Sequence, residues 1–108
     1  MLKIYKSMRA GAWIFRLEGE LVRDNHRDFK NKILDISRNE ALKGRREVIL
    51  DLWDVDFVDS LGLGALLEAR AAMEAQGGSL KLTRLSPNVK RVLDIVFRDK
   101  VFEIARTG

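Results

Sequence analysis

A chain of 108 residues, 46% of them apolar, is the size of one domain and can bury a core of its own. It has no cysteine and a single histidine, His26, which excludes a disulfide framework, thiolate or histidine metal clusters and a cysteine nucleophile, and leaves no evident Ser-His-Asp triad. The net charge of +4 comes from cations scattered along the chain, with no aromatic residues interleaved in the manner of a base-stacking platform, so no nucleic-acid function is expected.

The apolar runs are a few residues long, far from the roughly 20 of a membrane-spanning helix. Residues 1–11 show no hydrophobic leader. A soluble, cytoplasmic, single-domain protein spanning 1–108 is expected, with no membrane insertion, no bound metal and no cofactor.

Residues 2–8 alternate apolar and polar, the signature of a half-buried strand. Arg9-Ala10-Gly11 reads as a hairpin connection, and residues 12–18 return as a second strand that Gly19 ends. From Asp24 the period changes. Phe29, Ile33 and Ile36 fall on one stripe of a helix running to about residue 38, with Asp24 as its cap.

After a loop at Lys43-Gly44-Arg45, residues 47–52 carry a continuous apolar triplet, as in a strand covered on both faces. Residues 54–60 read as a connection into an Ala- and Leu-rich helix over 61–76, stopped by Gly77-Gly78. Residues 79–83 alternate again. Ser86-Pro87 opens a third helix with Val89, Val92, Leu93 and Val96 as its apolar stripe, and residues 101–104 read as a last strand. The order β-β-α-β-α-β-α-β predicts an α/β fold with a mixed central sheet and helices packed against it. Trp13 and Trp53 read as core or core-edge residues, His26 as a residue of a polar helix face, and Lys90 and Arg91 as solvated.

One segment breaks this pattern. Glu47, Asp51, Asp54, Asp56 and Asp59 put five carboxylates and no cation ahead of Ser60, Leu61, Gly62 and Gly64, where a strand hands over to a helix. In the plainest reading Asp59 caps the helix and the glycines allow close helix–sheet packing. A metal site on Asp51, Asp54, Asp56 and Asp59 lacks the glycine and terminal glutamate of a calcium loop. A phosphate cradle on Gly62 and Gly64 lacks the third glycine and the lysine. In the remaining reading Ser60 is a phosphoacceptor in the first helical turn, and the glycines let a partner's backbone approach its hydroxyl. Phosphorylation would add about −1.5 to −2 charge, enough to repel a partner fitted to the neutral hydroxyl.

Val48-Ile49-Leu50-Asp51-Leu52 followed by Asp56-Phe57-Val58-Asp59-Ser60-Leu61-Gly62-Leu63-Gly64 resembles the STAS domains of bacterial anti-sigma factor antagonists. So do Gly19-Glu20-Leu21, Gly77-Gly78-Ser79-Leu80 and the run from Leu85 to Leu93. The resemblance implies a regulatory protein with no catalytic residue. When unphosphorylated, it would bind a GHKL-type serine kinase that doubles as an anti-sigma factor. It would be switched off by phosphorylation of Ser60 and restored by a PP2C-type phosphatase.

The implied partner surface comprises Gly19, Glu20, Leu21, Asp56, Asp59, Ser60, Leu61 and Gly62. Leu61 stands where the family often has a second hydroxyl, and Val22 where it usually has an acidic or amide residue, which implies a divergent docking edge. The competing expectations are an unphosphorylated STAS-like scaffold or subunit of a lipid-transport or stressosome-type assembly, and an enzyme using the aspartates with Mg²⁺.

Overall fold

The computed structural model describes residues 2–9, 11–37 and 47–96. Four strands form one sheet in the order β1-β2-β3-β4: β1 (Leu2–Arg9), β2 (Ala12–Leu21), β3 (Glu47–Val58) and β4 (Ser79–Thr83). The first pair is antiparallel, as a hairpin requires; β2–β3 and β3–β4 are parallel, as helical crossovers require. The helices are α1 (His26–Ser37), α2 (Ser60–Ala75) and α3 (Pro87–Val96). The expected mixed sheet with packed helices is present; the strand expected over 101–104 and the side chain of Ile36 lie outside the described residues.

One core unites the layers. Phe15, Leu17, Val48, Leu50, Leu80 and Leu82 from the strands meet Phe29 and Ile33 of α1, Leu66, Ala69 and Met73 of α2, and Val89 of α3. The strand residues alternating with them, among them Ile14, Arg16, Ile49, Asp51 and Lys81, stay partly exposed. The buried face of α2 includes the small residues Gly62, Ala65 and Ala69. The helix ends with Gly77 at φ +78, which lets Gly78 N–H donate to Met73 O (2.9 Å) and Gly77 N–H to Glu74 O (3.0 Å).

Three expectations need correction, the strand ends, Trp53 and the cap of α1, and the first two have one cause. β3 does not stop at Leu52, and β2 does not stop at Gly19. The register slips between Arg16 and Glu18 and again between Gly19 and Glu20, each time by one extra residue on β3. These bulges change the spacing of buried residues from two (Val48, Leu50, Leu52) to three (Val55, Val58), so the segment loses its alternation while remaining a strand. Trp53, expected at the core or its edge, is consequently 53% exposed, whereas Trp13 is half-buried and stacks on Phe15 at 6.5 Å.

The third correction concerns the start of α1. The helix is preceded by Asn25, not capped by Asp24: Phe29 N–H donates to Asn25 O, while the Asn25 side chain accepts from Val22 N–H and donates to Glu20 O. An amide can do both at once; a carboxylate cannot. Lys90 and Arg91 are exposed as expected, and His26 is half-buried.

Candidate functional site

The lengthened β2 and β3 end together. Glu20 pairs with Phe57 and Leu21 with Val58, so the two segments expected to form one surface are adjacent strands at the C-terminal end of the parallel sheet. Asp59 locks the junction. It stands in an extended conformation (φ −93, ψ −176) ahead of α2, and its Oδ1 accepts from Gly62 N–H at 2.8 Å. Its Oδ2 accepts from Arg23 N–H at 2.9 Å, and its own N–H donates to Leu21 O at 3.3 Å. One carboxylate thereby caps α2 and ties it to the turn before α1.

Desolvation acts most strongly on Asp59 and favours its neutral form. The N–H groups of Gly62, Arg23 and Leu61, with His26 nearby, outweigh it and hold the carboxyl below its usual range. A depressed folded pKa supplies stability above the unfolded value and forfeits it as pH falls through the folded value. Asp59→Asn keeps one acceptor for the Gly62 N–H but removes the charge and the second acceptor that faces Arg23 N–H. The stability gap between wild type and this variant, read by urea unfolding, should therefore be constant near neutrality and close as pH falls below about 4.

Ser60 is the first residue of α2 and is exposed. Around it Glu20, Asp56 and Leu61 are exposed, and Phe57, which the sequence reading did not single out, is 51% exposed. The two bulges are the only signal for Phe57: with buried residues at Val55 and Val58, the positions between them face outward. The remaining expected surface residues sit deeper. Leu21 is fully buried and Gly62 is buried, so they shape the surface from beneath; Gly19 is half-buried and Asp59 contributes a committed carboxylate.

Gly62 faces the sheet and gives no access to a partner's backbone. A β-carbon there would collide with the Leu21 carbonyl and come within 3.1 Å of Val58 Cγ1. Gly64 has open space around it. Of the two glycines one is for packing and one is on the open side, which removes the phosphate-cradle reading.

The aspartates do not converge either. Asp51 pairs with Arg84 (3.1 Å), Asp54 with Arg16 (3.2 Å), and Asp59 is consumed by main-chain N–H groups. Among the described residues no group of three His, Cys, Asp or Glu side chains could hold a metal. With Glu47 facing Lys81 at 3.9 Å, the five carboxylates are reduced to Asp56 and Asp59 at the end of β3, next to Glu20 on the paired strand and just ahead of Ser60. From below, α3 is docked to the same strand end: Ser86 Oγ donates to Val55 O at 2.6 Å and Asn88 Nδ2 to Asp56 O at 3.2 Å.

The mixed sheet, the capped helix at its C-terminal end and the serine in the first turn accord with a STAS domain, and the STAS domain model matches residues 3–107. The chain belongs to the STAS domain family. It is 30% identical to the anti-sigma F factor antagonist of Paenibacillus polymyxa over 105 residues, covering 95% of this chain and 86% of that one.

Its fold is similar to that of the anti-sigma factor antagonist SpoIIAA in its unphosphorylated form (TM-score 0.72, 22% identity, covering 98% and 90% of the two chains). It is also similar to an anti-sigma factor antagonist from Mycobacterium paratuberculosis (TM-score 0.78, 18% identity, 99% and 87%). Among the described residues no helix is long and apolar enough to cross a membrane.

Proposed function

We propose that this chain is a partner-switching regulator of the anti-sigma factor antagonist type. Unphosphorylated, it binds a GHKL-type serine kinase that also serves as an anti-sigma factor, through Glu20, Asp56, Phe57, Ser60 and Leu61 over a base of Gly19, Leu21, Asp59 and Gly62. Phosphorylation of Ser60 ends that binding, and a PP2C-type phosphatase restores it. The chain is a substrate and a docking surface with no catalytic residue of its own.

The observation that carries this reading is the contrast between neighbours. Ser60 is exposed, while both carboxylate oxygens of Asp59 are held by main-chain N–H groups. The serine is therefore presented on a fixed frame. A phosphoryl group there meets the favourable end of the α2 dipole, so the fold tolerates it, while Asp56 and Asp59 keep the surface strongly anionic.

The test is phosphate incorporation by the cognate kinase with ATP. Wild type should be labelled and Ser60→Ala should not. Labelling of the alanine variant at the wild-type level overturns the assignment of Ser60.

A further inference from the structure

The strand residues alternating with the core set border a cleft of about 640 Å³, within the roughly 300–1,000 Å³ range of small-molecule sites. It is separate from the Ser60 surface. Four cations line it, Lys6, Arg9, Arg16 and Arg84, against a single lining carboxylate, Asp51.

Two of the cations are braced. Arg16 donates through Nη1 to Asp54 (3.2 Å) and Glu18 (3.5 Å), and its guanidinium lies 4.3 Å from the centre of the Tyr5 ring. Arg84 donates through Nε to Asp51 (3.2 Å), from a backbone at φ +50 that non-glycine residues rarely adopt. In each case the carboxylates hold the guanidinium through a single nitrogen. Nε and Nη2 of Arg16 and both Nη atoms of Arg84 take no part in these bonds.

We propose that this cleft binds a phosphate-bearing ligand. Guanidinium groups fixed from behind by carboxylates are pre-organised forks, and a fork matches the paired oxygens of a phosphate. Lys6 and Arg9 at the rim are exposed and add charge that no described carboxylate offsets. A tetrahedral phosphate offers acceptor oxygens in several directions, as donors from β1, β2 and the end of β4 require; a planar carboxylate offers them in one plane. The phosphate could belong to a soluble molecule or to a lipid headgroup.

The experiment titrates the ¹⁵N-labelled chain alone with inorganic pyrophosphate at low salt, so its outcome is independent of any kinase. Amide shifts are expected at Ser7, Ile14, Thr83 and Arg84. The Lys6→Ala/Arg9→Ala double variant, altered only at exposed positions, should bind at least about tenfold more weakly with an unchanged melting temperature. Arg84→Gln should weaken binding similarly.

Co-sedimentation with phosphatidylglycerol vesicles separates the sources. Retention of wild type but not of the double variant supports a lipid phosphate, and pyrophosphate binding without retention supports a soluble one. No shifts at millimolar pyrophosphate, or shifts and affinity unaltered in both variants, overturn the proposal.

Discussion

Gly62→Ala should melt at a much lower temperature than wild type. The added methyl group has no room, because it meets the Leu21 main chain, which side-chain rotation cannot clear. Relief requires α2 to lift from the ends of β2 and β3, where Leu21 and Val58 are buried and Asp59 joins helix to strand. Overpacking of this kind costs about 3 kcal/mol at its upper range. For a domain of this size that is a fall of roughly 12 °C or more.

Gly64→Ala is the internal control. It lies two residues on in the same helix, with nothing within 4 Å of the new methyl. Replacing a helical glycine by alanine there should raise stability by about 0.5–1 kcal/mol. Thermal unfolding by circular dichroism reads both, and equal effects at the two positions would refute the assigned packing of Gly62.

The two glycines also show where sequence reasoning stops. Asp59 as cap, Ser60 in the first turn, the helix stop at Gly77-Gly78 and the Ser86 start are local chemistry, and each was legible because the residue type and its near neighbours decide the geometry. The direction in which Gly62 faces depends on the carbonyl of Leu21, 41 positions away in sequence, and no local pattern encodes it.

The bulges in β3 are a second case. An alternation broken at Asp54 looks like a loop from one strand alone; only pairing with Glu18, Gly19 and Glu20 shows that the strand continues. That continuation carries β3 to Val58 and exposes Phe57. At Asn25 the side chain accepts from Val22 N–H and donates to the Glu20 carbonyl, a pairing open to an amide and closed to the neighbouring carboxylate of Asp24. Likewise the acidic run looked like one cluster, yet Arg16 of β2 and Arg84, just past β4, both far away in sequence, pair with two of its members.

Ser60→Asp should bind the partner kinase about 100-fold more weakly than wild type, roughly 2.7 kcal/mol, without loss of fold. Two effects of the new carboxylate have opposite signs and act on different equilibria. Within the domain it sits in the first turn of α2, where the helix dipole favours an anion by about 0.3–1 kcal/mol and Asp56 and Asp59 oppose it. Stability should therefore move by less than about 1 kcal/mol.

In the proposed complex, the same group would be pressed against a surface fitted to a neutral hydroxyl. It must lose its hydration without gaining a cation, a penalty of several kcal/mol. Ser60→Asn adds nearly the same bulk with no charge, so it separates size from charge: it should retain most of the affinity lost by the aspartate. Raising salt from about 0.1 to 1 M shortens the screening length from about 10 to 3 Å and removes repulsion acting through solvent. A loss caused by burial of the charge at the contact persists under those conditions, and calorimetric titration of the three proteins at both salt concentrations measures it. Equal affinities for Ser60→Asp and wild type, or equal losses for the aspartate and asparagine variants, would show that charge at this position is not what the partner reads.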